Sequence, residues 1–316
     1  MAALEGIRTE QEAGSFALNR RGFVGLMAAS ALGLSGCAPL GGVLGPKPTP
    51  MTSGSPPLPP RQTPTPTRSG LVWSDEFDGR ESSLPSAANW SVAEELAGLD
   101  NHELEGYTAR PENLSLDGKG NLRITARAEN YSNAAGARVS FTSGHMQTRQ
   151  AFRYGRIEAR VKVPAGAGLW PAFWTMGIGE PAIHWPATGE IDIMEFVNDA
   201  TTLYADVHAD TTSGGEWDRQ GRLASETSFA DDWHIYSVDW TTDVLVFAAD
   251  GTEYHRVEKA ALLANNIWEF DRPQNIILNL AVGGDFPQTA PDPAAFPALM
   301  LVDYVRVFNA EIHTSP

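Results

Sequence analysis

"GEIDIMEFVND", running from Gly189 to Asp199, sets three acids, Glu190, Asp192 and Glu195, among bulky apolar residues. Ile191 and Ile193 alternate with Glu190 and Asp192 at the two-residue period of a strand, which puts the two acids on one face and the isoleucines on the other. Glu195 breaks that parity. A separation of five returns a side chain to its starting face only if one extra residue is inserted, as a β-bulge does, and bulges cluster beside active sites. The stretch therefore reads as a buried strand with one carboxylate-bearing face, and it predicts chemistry there.

Outward from this strand, many short runs rich in Val, Ile, Tyr and Phe are separated by Gly, Asp, Asn and Pro. They include "NLRITARAE", "YGRIEARVKVP", "YADVHAD", "IYSVDWT", "VLVFAADG", "NIILNLAVGG" and "LVDYVRVF". Asp117-Gly118 and Asp250-Gly251 stand where hairpin turns are expected. "EYHRVEKAALLANN" predicts one short helical turn. Strands do not alternate with long helices, which argues against a parallel α/β sheet. The 246 residues from Leu71 to Pro316 fit a single antiparallel β-sandwich.

Composition narrows the partners. The formal charge of -16 lies downstream of residue 36, because Arg8, Arg20 and Arg21 balance Glu5, Glu10 and Glu12 before it. So acidic a body excludes nucleic acid and argues against polyanionic glycans. The single cysteine, Cys37, excludes an internal disulfide and any cysteine-based zinc cluster. Its setting is informative: "NRRGFVGL" places paired arginines before an apolar run, and that run ends in "LSGC". Residues 1–36 resemble a twin-arginine export signal closed by a lipoprotein cleavage box, with Cys37 as the lipidated first mature residue. The apolar stretch is too short for an ordinary membrane span. Ten of the 33 residues from Ala38 to Gly70 are proline, so 37–70 is expected to be a tether and the ordered domain to begin near Leu71. The expected location is the cell envelope, anchored through Cys37.

Paired carboxyls are what glycosidic bond cleavage commonly uses. Four net strand steps separate the Cα atoms of Glu190 and Glu195 by roughly 13 Å. If each side chain leans in by about 4 Å, the carboxyls come ~5 Å apart, the separation of a retaining double displacement. Asp192 lies between them, and three clustered carboxylates favour one that keeps its proton. Trp170 and Trp174, in "AGLWPAFWTMG", share strand parity with Ala172 and could stack on pyranose rings or fill the core.

At this point the chain resembles family 16 of the glycoside hydrolases, and within it the laminarinase-like endo-β-1,3-glucanases. The likeness covers "LVWSDEFDG", "NLRITA", "YGRIEARVKVPAGAGLWPAFW", "WPATGEIDIME", "DDWHIYSVDWT", "NIILNLAVGG" and "VDYVRVF", in order across 71–316. The resemblance implies an all-β, concanavalin A-like jelly-roll sandwich with a concave substrate cleft. It implies Glu190 as nucleophile, Glu195 as general acid/base and Asp192 as their assistant, a distinction that the spacing alone does not make. It further implies Trp170 and Trp174 as sugar platforms, with Trp185 a lesser one, and His208, Asn101 and Asn279 near the substrate. No cofactor is implied for catalysis; Glu76 and Asp303 would supply carboxylates to a structural calcium. The expected partner is a β-1,3-glucan and the expected state a monomer. Alternatives within the same chemistry are a transglycosylase or a hydrolase of mixed-linkage glucan, agar or carrageenan; a non-catalytic glucan-binding protein is the alternative outside it.

Overall fold

A computed structural model of the chain describes residues 69–96, 100–179 and 183–314. The export signal expected over 1–36, Cys37 and the tether as far as residue 68 lie outside the described residues. The strands are β1 (Leu71–Asp75), β2 (Trp90–Val92), β3 (Glu105–Tyr107), β4 (Leu114–Leu116), β5 (Leu122–Ser132), β6 (Arg138–Ser143), β7 (His145–Arg153), β8 (Gly155–Lys162), β9 (Leu169–Gly177) and β10 (Glu190–Glu195). They continue with β11 (Thr202–Asp210), β12 (Glu216–Asp218), β13 (Gly221–Ala224), β14 (His234–Trp240), β15 (Val244–Ala249), β16 (Thr252–Glu258), β17 (Gln274–Val282), β18 (Ala298–Phe308) and β19 (Glu311–Thr314). Helix, among the described residues, is confined to four 3-10 turns. One of them, Lys259–Ala261, is the helical turn expected in "EYHRVEKAALLANN"; the residues before it extend β16 instead.

Two sheets form the sandwich. One runs β16-β15-β14-β8-β18-β5-β6-β3, with β1 on β18 and β4 on β5; the other runs β12-β11-β10-β9-β17-β7-β19, with β13 on β11 and β2 on β7. All pairings are antiparallel except β3 with β6. The β15–β16 hairpin turns at Asp250 and Gly251, whose φ values of 49° and 80° are those a two-residue turn of this hand requires. Asp117 caps the β4–β5 turn, its Oδ1 accepting from the backbone N–H groups of Lys119 and Asn121.

Between the sheets lies one apolar core, and strand parity decides what enters it. On β9, Leu169 and Phe173 point inward, and on β17 Ile276, Leu278, Leu280 and Val282 do the same. The opposite parity, Ala172 and Trp174 on β9 with Ile277 on β17, makes a second, smaller apolar layer on the outer face of the nine-stranded sheet. Strands β10 and β17 are buried on both faces, which is why their sequences carry little polar alternation. Each large side chain so buried is worth about 1.5–3 kcal/mol over leaving it in water. The central strands are therefore a rigid floor for the groups above them.

Candidate active site

On β10 the register shifts between Asp192 and Met194 against β9, and between Asp192 and Glu195 against β11, so the expected bulge is present. Ile193 and Met194 both enter the core, opposite Phe173 alone. That one extra residue returns Glu195 to the face of Glu190 and Asp192. A bulge leaves a ladder group without its strand partner. Here the Ile193 carbonyl accepts from Tyr254 Oη at 3.2 Å, a tyrosine of β16 in the other sheet. Nothing local in the sequence ties Tyr254 to the motif; only the sandwich brings them together.

Cross-strand neighbours complete the row. Glu190 stands opposite His208, Asp192 opposite Asp206, and Glu195 opposite Tyr204 on β11. The Asp192–Asp206 pair sets like charges directly across from each other, normally a destabilising arrangement. His208 resolves it: its Nε2 lies 3.3 Å from Asp192 Oδ2 and 3.8 Å from Asp206 Oδ2, while Nδ1 lies 2.6 Å from Glu216 Oε1. Burial would lower the His208 pKa, but the bonds to Asp192 and Glu216 and the charge of Glu190 outweigh it, holding the imidazole well above its ordinary value. Burial pushes Asp206 up to about 7, against the pull of His208. Asp206 and Glu216 are not marked by the sequence, since neither belongs to the motif: Asp206 acquires its part through the pairing of β11 with β10, and Glu216 through the pairing of β12 with β11.

Two indoles hold the glutamates. Trp185 Nε1 donates to Glu190 Oε2 at 2.7 Å, and Trp170 Nε1 donates to Glu195 Oε1 at 2.8 Å. Trp170 is 5% exposed, with Phe286 packed edge-on at 5.4 Å, and Phe286 in turn meets Tyr204 at 5.0 Å. Trp185, half-buried on the loop before β10, leans on His208 at 6.2 Å. The expected ranking of the tryptophans is thus reversed. Trp174, only 2% exposed, is floor and not platform, because it lies among Ala172, Ile277 and Met176. Trp185 presents the most ring of the three.

Asn279 is engaged within the floor. Its Oδ1 accepts from Trp174 Nε1 at 2.8 Å, its Nδ2 donates to Tyr107 Oη at 3.0 Å, and Tyr107 Oη donates to Glu103 Oε2 at 3.3 Å. It braces the floor from within. Asn101 differs. Held in the left-handed region at φ 56°, its Nδ2 is buried without a hydrogen-bond partner, and its carbonyl accepts from Asp285 N. A Cβ on Gly284, itself at φ 92°, would come within 3.1 Å of the Asn101 carbonyl and 3.4 Å of the Trp170 ring, so Asn101 lies at the Trp170 end of the site.

The carboxylates expected for calcium are each engaged by an arginine. Glu76 makes a two-pronged ion pair with Arg306, and Asp303 pairs with Arg160 at 2.6 Å, so each is already neutralised by a guanidinium. Among the described residues no three His, Cys, Asp or Glu side chains converge to hold a metal.

Comparison with known proteins agrees with this geometry. The family model described as glycosyl hydrolases family 16 matches residues 105–306. A β-glucanase of Rhodothermus marinus is 36% identical over 250 residues, covering 76% of this chain and 85% of that one. A glucan endo-1,3-β-glucosidase A1 of Niallia circulans is 32% identical over 76% of this chain, which spans 38% of that longer protein. The solved endo-β-1,3-glucanase of Pyrococcus furiosus superposes with a TM-score of 0.68 at 36% identity, over 77% of this chain and 95% of that one. The fold, the bulged acidic strand and these likenesses converge: the chain belongs to family 16 of the glycoside hydrolases.

Proposed function

We infer that this enzyme is an endo-acting glycoside hydrolase that cleaves β-1,3-glucan with retention of configuration. The observation that carries the reading is the bulge, which puts Glu190 and Glu195 on one face of one strand, each with an indole N–H on one carboxyl oxygen. Trp185 orients Glu190 through Oε2, and the Glu190 carboxylate attacks the anomeric carbon. Glu195 gives its proton to the departing glycosidic oxygen as that bond breaks, and the sugar becomes an ester of Glu190. Glu195, now a base, takes a proton from water as the water displaces Glu190, which releases the sugar and restores both groups. Proton and nucleophile both come from carboxyls, so the displacement needs no cofactor. The Asn101 amide, buried and without a partner, suits a sugar hydroxyl at the Trp170 end.

The test is hydrolysis of laminarin followed by proton NMR from the first minute. The β-anomer is expected first, the α-anomer appearing only as the product mutarotates. An α-anomer at the outset, or cleavage of agar or carrageenan with laminarin untouched, would refute the reading; chains longer than the input would make the enzyme a transglycosylase.

We also propose that the enzyme is exported and held at a membrane through a lipidated Cys37. The support is sequence: paired Arg20 and Arg21, an apolar run and "LSGC". Each buried CH₂ contributes ~0.8 kcal/mol, so two or more acyl chains give stable anchoring. Cys37→Ser is expected to move the enzyme from the membrane fraction to the soluble one in its native host. Unchanged fractionation sinks this proposal.

A further inference from the structure

Strand β12 is three residues long and pairs only with β11, at the edge of the sheet. Glu216, its first residue, stands directly opposite Asp210. The Asp210 carboxylate is committed to the hairpin turn, its Oδ1 accepting from the backbone N–H groups of Thr211 and Gly215. Glu216 instead reaches diagonally along the same face, a reach that neighbouring strands permit to long side chains, and meets His208 Nδ1 at 2.6 Å. From the other side, His208 Nε2 faces Asp192. An imidazole with a carboxylate on each nitrogen satisfies both only when both nitrogens carry protons.

We propose that Glu216 is a positioning residue for the glycosidase reaction: its carboxylate keeps His208 a doubly protonated cation, and that cation, through Nε2–H, holds Asp192 in place between Glu190 and Glu195. The proposal rests on the glycosidase reading for its kinetic arm only. The groups that face His208 are Glu190 and Asp192 from β10, Asp206 from β11, Glu216 and Asp218 from β12, and the Trp185 ring. All the ionisable ones are acids. Glu216 is the one that bonds Nδ1, so without its charge Nδ1 is the nitrogen that gives up its proton. The ring then turns neutral at a lower pH, and its Nε2–H still donates to Asp192 but without the positive charge of the imidazolium behind it. Asp192 is held less firmly, and the charge lying between the two glutamates during turnover is no longer offset.

The experiment compares wild type with Glu216→Gln, which keeps an acceptor but removes the charge, and with Glu216→Ala. The first readout needs no substrate: the imidazole carbon shifts of His208 are followed by NMR against pH, the resonance being assigned by its loss in His208→Asn. In both variants the His208 midpoint is expected to fall by about one pH unit or more, one unit being a factor of ten in proton affinity. The second readout is laminarin hydrolysis. There the alkaline limb of kcat should move to lower pH by a similar amount with KM unchanged, and Glu216→Asp should recover part of the shift. An unaltered His208 titration in both variants overturns the proposal whether or not any glucan is cleaved. So does a raised KM with kcat and its alkaline limb unmoved, which would make Glu216 a sugar ligand. Wild-type enzyme that leaves laminarin intact refutes the substrate reading and leaves the titration to decide this one.

Discussion

Glu190→Ala and Glu195→Ala are each expected to lower laminarin turnover by at least the ~10²- to 10⁴-fold that positioned proton transfer contributes. Azide then tells the two apart. In Glu190→Ala the space left by the carboxylate admits the small anion from the same side, Glu195 still protonates the leaving oxygen, and the product is an α-glycosyl azide. In Glu195→Ala, an aryl β-glucoside that needs little protonation still esterifies Glu190, and azide then enters from the opposite side to give a β-glycosyl azide. Opposite anomers from the two variants establish both roles at once. If the anomers come out the other way round, Glu190 and Glu195 exchange parts, and if azide rescues neither variant, the double displacement fails as the mechanism. Far-UV circular dichroism is expected to stay that of wild type, because both side chains face away from the main core.

That assignment is worth an experiment because the motif is symmetric in what it displays. Two glutamates five apart on a bulged strand announce paired carboxyl chemistry, and the alternation of Ile191 and Ile193 with Glu190 and Asp192 announces which face holds it. The sandwich was legible for the same reason: short alternating runs, Asp-Gly turns and no long helical period leave few other architectures. Illegible were the partners that come from elsewhere in the chain. Tyr254 stops the carbonyl of the bulge only because β16 lies across the core, and Glu216 reaches His208 only because an edge strand of three residues doubles back on β11. The tryptophans mark a third limit. Parity on β9 puts Trp170 and Trp174 on one face, yet it cannot say which face that is, nor that Ile277 and Asn279 of β17 cover Trp174 while the loop carrying Trp185 is left more open. The guanidinium partners of Glu76 and Asp303 were illegible for a related reason, since Arg306 and Arg160 reach them from neighbouring positions in the sheet.

Adjacent residues of β9 offer the sharpest check on the two-faced reading of the sheet. Phe173 is wholly buried between the sheets, opposite the bulge, whereas Trp174 lies on the other side, opposite Asp192 and bonded to Asn279. Phe173→Ala opens a cavity in a close-packed core and is expected to destabilise the domain by about 3–5 kcal/mol. For a domain of this size that corresponds to a fall in Tm of roughly 6–20 °C. At 25 °C the surviving folded enzyme should keep its pH profile, because no group on the outer face has changed partner. Trp174→Phe keeps most of the apolar volume but removes the N–H that Asn279 Oδ1 accepts, leaving a buried acceptor unsatisfied at about 1–3 kcal/mol. Its loss of stability is therefore expected to be the smaller of the two and its loss of kcat the larger, since the floor beneath Asp192 and the brace through Asn279 to Tyr107 both loosen. Thermal melts and laminarin kinetics on the pair decide the matter: a larger Tm loss in Trp174→Phe, or a larger kcat loss in Phe173→Ala, would mean that β9 presents its faces the other way and that the acidic strand beside it does not carry its three carboxylates on one side.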